Sequence, residues 1–157
     1  MTALSLSLRL QDQDQTEALA RSLAPHLRPG DVLLLSGAIG AGKSTFARAV
    51  IRAATGNPQE DVPSPTFTLV QSYETPQGEI WHSDLYRLGH PDEIFELGLY
   101  EAFETAICLI EWPDRLADLA PFSALSLEFT AGDTAHAVRL TGGPLWAARI
   151  AALGLGA

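Results

Sequence analysis

The chain has 157 residues, 46% of them hydrophobic and 18% charged, which is enough apolar material for one ordinary core and too much for intrinsic disorder. Its formal net charge of −9 argues against a protein that grips a phosphate backbone by charge neutralisation, so strong unaided nucleic-acid binding is not expected. The single cysteine, Cys108, excludes an internal disulfide, no apolar run nears the roughly 18 residues of a membrane span, and residues 1–10 lack the pattern of a signal peptide. These features predict one soluble, cytoplasmic domain covering residues 1–157.

Residues 4–10 alternate strictly between leucine and Ser or Arg, the period of a strand with one buried face, and such a strand belongs at a sheet edge. Leu19, Leu23 and Leu27 then recur every fourth residue behind Asp12, Asp14 and Glu17, which favour a helix N-terminus; Pro29-Gly30 ends that element. The continuous apolar run 32–35 predicts a central parallel strand covered on both faces. After a glycine-rich turn, Phe46, Val50 and Ala54 keep helical spacing until Gly56-Asn57-Pro58.

Residues 67–73 and 80–82 read as strands that pair as a hairpin across Thr75-Pro76-Gln77-Gly78. Between His90 and Thr105 five acidic residues and no Lys or Arg predict a short helix on a negatively charged surface. A further apolar run, 106–110, closes on Glu111-Trp112-Pro113, followed by strands over 124–129 and 137–140 and a final helix over 144–153. Strands separated by helices, several of them wholly apolar, predict an α/β domain: a mostly parallel central sheet with helices on both faces and some antiparallel strands.

The string Gly37-Ala38-Ile39-Gly40-Ala41-Gly42-Lys43-Ser44 is a complete G-x-x-x-x-G-K-[ST], placed between an apolar strand and a helical pattern as the P-loop motif requires. Its glycines let the backbone wrap a phosphate chain with N–H groups inward, while Lys43 adds a point charge and Ser44 a hydroxyl for Mg²⁺. Lys43 is also the sole lysine of the chain. Such a site needs a carboxylate at a neighbouring strand end, because Mg²⁺ takes one or two protein oxygens beside the phosphates. Both Glu111, after four apolar residues, and Asp84, after Ile80-Trp81-His82-Ser83, qualify. Pro63-Ser64-Pro65-Thr66-Phe67-Thr68 lies where P-loop proteins keep a segment that senses the γ-phosphate, with Thr66 placed to point a hydroxyl at the metal, and also suits a rigid connecting loop. His82 reads either as a proton relay or as a hydrogen-bonded structural residue, Cys108 as a small core residue, and Trp112 as a cover for the site or a packing group.

Four ordered blocks now coincide: 37–46; Ser64-Pro65-Thr66-Phe67-Thr68-Leu69-Val70; His82-Ser83-Asp84-Leu85-Tyr86-Arg87-Leu88; and Leu109-Ile110-Glu111-Trp112-Pro113-Asp114-Arg115. Together they closely resemble the TsaE (YjeE) family of bacterial P-loop ATPases, over about residues 16–140. The resemblance implies ATP hydrolysis in support of threonylcarbamoyladenosine formation at position 37 of tRNAs that read codons starting with A, in association with the TsaB and TsaD proteins. It implies that Gly40, Ala41, Gly42 and Lys43 hold phosphates, with Gly37, Thr45 and Thr66 beside them, and that Ser44 and Glu111 hold Mg²⁺. Asp84 would serve the metal or the attacking water, and Thr16 matches a threonine near the nucleotide. Ser44 replaces the family's usual threonine, and the sequence diverges after Leu140, so nothing is carried over there. Turnover is expected to be slow alone, since no arginine has the context of a built-in finger, although Arg87 is a cis candidate. Two rivals remain on the same P-loop: a small-molecule kinase, and a nucleotide-dependent assembly module whose hydrolysis is incidental.

Overall fold

The computed structural model describes residues 3–155, so the expected domain limits at Met1 and Ala157 lie outside the described residues. The alternating leucines form β1 (Leu4–Leu10), and α1 (Gln13–Leu23) follows at once. Asp12 caps α1: its carboxylate accepts from the Gln15 N–H at 3.0 Å, satisfying one of the free donors of the first turn. The apolar run becomes β2 (Val32–Gly37), and α2 (Lys43–Thr55) starts directly after the glycine-rich turn and stops at Gly56.

The hairpin is β3 (Val70–Thr75) and β4 (Gly78–Asp84). Its turn requires glycine, because Gly78 has φ +135° and a Cβ there would sit 2.8 Å from Pro29. Two expectations are corrected here. The first strand begins at Val70, not at residue 67: Leu69 adopts φ +68°, its N–H donates to the Pro65 carbonyl at 2.7 Å, and its carbonyl accepts from the Asp84 N–H at 3.1 Å. These contacts impose a turn on a strand-like sequence. The acidic segment forms two short helices, α3 (Glu93–Glu96) and α4 (Leu99–Thr105), broken by the left-handed Gly98.

The remaining elements are β5 (Ile107–Glu111), a 3₁₀ segment (Pro113–Leu119), β6 (Leu125–Ala131), β7 (His136–Gly142) and α5 (Pro144–Ala152). The seven strands form one sheet in the order β1-β7-β6-β2-β5-β4-β3. The middle four, β6, β2, β5 and β4, are parallel, while β1, β7 and β3 pair antiparallel at the flanks. The expected parallel centre with antiparallel additions is present, and β1 lies at the edge.

Side-chain alternation sends alternate residues of each central strand to different layers. Leu33, Leu35, Ile80, Ile107 and Leu109 pack with α1 and α2, whereas Val32, Cys108 and Ile110 pack with α3 and α4 on the other face. Because β2, β4 and β5 run in one direction, their C-terminal residues Gly37, Asp84 and Glu111 reach the same edge of the sheet. In open parallel sheets this edge is where ligands bind.

Candidate active site at the strand ends

The turn after β2 is held tight by its neighbours. Gly37 has φ +133°, and a Cβ on it would sit 2.3 Å from the Phe129 carbonyl oxygen, so β6 leaves room there only for glycine. Gly42, with φ +116°, swings the chain into the first turn of α2, where backbone N–H groups have no helical partners. Ala41 is buried, and its N–H donates to the Ala38 carbonyl at 3.1 Å.

Lys43 is only 5% exposed. Its Nζ donates to the Gly37 carbonyl at 2.6 Å and stands 3.7 Å from the centroid of the Trp112 ring. Loss of hydration by burial lowers its pKa, and the carboxylates of Glu111, Asp84 and Asp114 oppose that shift. Beside it, the Ser44 hydroxyl donates to Glu111 Oε1 at 3.0 Å, which ties the start of α2 to the end of β5. The other oxygen of Glu111, Oε2, lies 2.7 Å from His82 Nε2. Asp84, opposite Glu111 in the strand register, accepts from the Thr66 hydroxyl at 3.3 Å and from the Tyr86 N–H at 3.0 Å. Thr66 also shares a hydrogen bond of 2.6 Å with Ser64.

A cavity of about 410 Å³ opens beside the turn, lined in part by Thr16, Gly40, Gly42, Lys43, Ser44 and Thr45. The sequence-predicted residues therefore divide. Those six face the cavity, while Thr66, Asp84 and Glu111 form a polar cluster at the strand ends, joined to the cavity through Ser44. The rest of the wall comes from the start of α1 and the residues just before it, Gln11, Asp12 and Gln13, and from the β6–β7 turn with the first residue of β7, Gly132 to His136. Sequence reasoning did not single out that turn, whose one signal was Gly132-Asp133 between two strand patterns. Arg87 stands 4.5 Å over the exposed Phe67 ring, and Arg115 5.9 Å over Tyr86; among the described residues no arginine lines the cavity.

Trp112 is a positive-φ residue (φ +59°) with Lys43 Nζ over its ring and the tilted Tyr86 ring centroid 5.0 Å from its own. Among the described residues no three His, Cys, Asp or Glu side chains converge as a self-sufficient metal site. A hydroxyl–carboxylate pair such as Ser44 and Glu111 fits a hard divalent cation that completes its shell from phosphate and water.

The family model described as "Threonylcarbamoyl adenosine biosynthesis protein TsaE" matches residues 10–139. The chain belongs to the TsaE family. Among its relatives, the tRNA threonylcarbamoyladenosine biosynthesis protein TsaE of Rickettsia bellii is 40% identical over 77% of this chain and 83% of its own length. The protein of the same name from Bacillus subtilis is 34% identical over 87% of this chain and 85% of its own. The crystal structure of Bacillus subtilis YdiB matches with a TM-score of 0.78 at 28% identity, covering 98% of this chain and 97% of that one. The TsaE match spans all four sequence blocks and every residue of the strand-end cluster.

Proposed function

We propose that this chain is a Mg²⁺-dependent ATPase of tRNA threonylcarbamoyladenosine biosynthesis. It serves modification at position 37 of tRNAs that read codons starting with A, and works in the cytoplasm with TsaB and TsaD. The observation that carries the reading is the 3.0 Å bond between Ser44 and Glu111. It joins the first helical hydroxyl of a complete P-loop to a buried carboxylate on the neighbouring parallel strand, in a chain of the TsaE family.

In this reading the N–H groups of the 37–44 turn and Lys43 hold the phosphates, the helix N-terminus adding its positive end. Lys43 is held at this turn by the Gly37 carbonyl and the Trp112 face, and a phosphate oxygen would compete with that carbonyl for its ammonium. Ser44 and Glu111 would hold Mg²⁺, which when bound neutralises charge on the phosphate oxygens. Asp84, fixed on both oxygens by Thr66 and the Tyr86 N–H, faces the same edge and orients water. Catalysis is thus positioning and charge neutralisation rather than covalent chemistry.

Slow turnover alone follows from the arginines: Arg87 and Arg115 lie on exposed aromatic rings rather than in the cavity, which leaves a partner to supply the missing charge or to redirect them. The partner reading also agrees with the charge. A −9 chain whose α3–α4 region carries Glu96, Glu101 and Glu104 beside half-exposed Phe95 and Tyr100 acts through protein contacts rather than by gripping tRNA.

Asp84→Ala separates hydrolysis from mere nucleotide-controlled assembly. The variant is expected to bind ATP with Mg²⁺ by calorimetry, yet to fail in supporting the modification with TsaB and TsaD. Full support by a variant that does not hydrolyse ATP would show that binding suffices and would remove turnover from the function.

A further inference from the structure

His82 sits one residue pair deeper in β4 than Asp84, 1% exposed, in a layer otherwise made by Ile80 and Leu109, each 0% exposed. A polar ring in such a layer costs free energy unless it is hydrogen-bonded. The imidazole makes one bond, from Nε2 to Glu111 Oε2 at 2.7 Å, and Nδ1 is buried with no partner. As a packing element this is a poor choice, since a leucine or phenylalanine would fill the layer without stranding a nitrogen. The single bond it makes goes to the carboxylate that meets Ser44.

We propose that His82 is a positioning residue for Glu111: Nε2–H holds Oε2 so that Oε1 stays turned toward the Ser44 hydroxyl and the cation site. This rests on the nucleotide-site reading above. A glutamate's terminal torsion is soft, and a carboxylate free to rotate about it spends part of its time in orientations that bring no oxygen to Ser44. Binding one oxygen to a ring fixed in the sheet removes that freedom. Buried partners that orient metal-ligating carboxylates act in the same way, and their loss typically weakens metal affinity by about 10–100-fold.

The test compares His82→Leu and His82→Phe, which fill the layer but lack a donor, with His82→Gln, whose amide N–H reaches a similar position. ADP affinity is measured by calorimetry in EDTA and at graded Mg²⁺ concentrations, and ATP turnover is measured alongside. The donor-less variants are expected to bind metal-free ADP as the wild type does, and to need about 10–100-fold more Mg²⁺ for the half-maximal gain in affinity. His82→Gln recovers most of that loss. In a Glu111→Gln background, adding His82→Leu changes the Mg²⁺ requirement no further. A folded His82→Leu or His82→Phe protein with wild-type Mg²⁺ dependence would overturn the positioning role while leaving the nucleotide site standing. A wild-type chain that binds ADP under neither condition would overturn both.

Discussion

At their N-terminal ends β2, β4 and β5 present Leu33, Ile80 and Ile107 to the α2 face of the sheet, and all three are 0% exposed. Four residues later on the same strands and the same face stand Gly37, Asp84 and Glu111, the two carboxylates only 7% and 3% exposed. Burial is nearly equal at the two ends, and what differs is how it is stabilised. The apolar end gains from every methylene removed from water, whereas the polar end must replace lost hydration with specific partners: Ser44 and His82 for Glu111, Thr66 and the Tyr86 N–H for Asp84. A side chain changed at one end should therefore be felt as lost stability, and at the other mainly as lost function.

The sharpest way to break that division uses two residues of one strand. Ile107→Ala is expected to cost about 2–5 kcal/mol of stability in urea unfolding, because it leaves a void in a closed layer, while ATP turnover per folded molecule stays near wild type. Glu111→Gln keeps the shape and is expected to lower turnover by about 100-fold or more with a much smaller change in unfolding midpoint. If Ile107→Ala lost turnover without losing stability, the two ends would not be separable.

A second test probes the apolar end through its own titratable group. Burial pushes the Cys108 thiol from an ordinary value of 9.0 up to about 12, and among apolar neighbours the thiol donates to the Ala102 carbonyl at 3.5 Å. The folded state keeps this proton to higher pH than the unfolded state does. Stability from this group is thus complete below about pH 9 and declines as pH rises toward 12, at about 1.4 kcal/mol per pH unit. By pH 10.5 the loss attributable to Cys108 is expected to approach about 2 kcal/mol. Cys108→Ala should flatten the alkaline decline between pH 9 and 10.5 relative to wild type. An unchanged slope would mean that the thiolate finds a stabilising partner and that this end is not uniformly apolar.

The smallest effect is at the cavity wall, where Asp12 has two duties: it caps α1 and lines the cavity. Asp12→Ala is expected to cost about 1 kcal/mol of stability as a lost N-cap. Asp12→Ser keeps a cap and should restore most of it in thermal unfolding; failure of serine to do so would place the residue's contribution outside the cap.

The apolar end was the more legible in the sequence. The alternation of residues 4–10 and the unbroken runs of β2 and β5 are local patterns, and they fold as their periods dictate. The P-loop was legible for a similar reason, since its string and its strand-to-helix setting lie within a few residues. Phe67 to Leu69 misled because composition favours a strand there, and the turn is imposed by Asp84, 15 residues downstream of Leu69, as well as by Pro65. Gly98 was visible as a glycine, but the acidic stretch around it has too weak an apolar face to show that one helix becomes two. The β6–β7 turn reaches the cavity only once the sheet order puts β6 beside β2, and the partner of His82 lies 29 residues away. Both are long-range facts that no local pattern encodes.

The central claim, that the polar ends of β2, β4 and β5 make a partner-activated ATP-hydrolysing site, is tested most directly by ATP turnover of the purified chain, alone and with TsaB and TsaD from the same organism. The account predicts slow turnover alone, a clear rise when the pair is added, and loss of both in a folded Lys43→Ala protein. Turnover that is indifferent to the pair and retained in Lys43→Ala would contradict it.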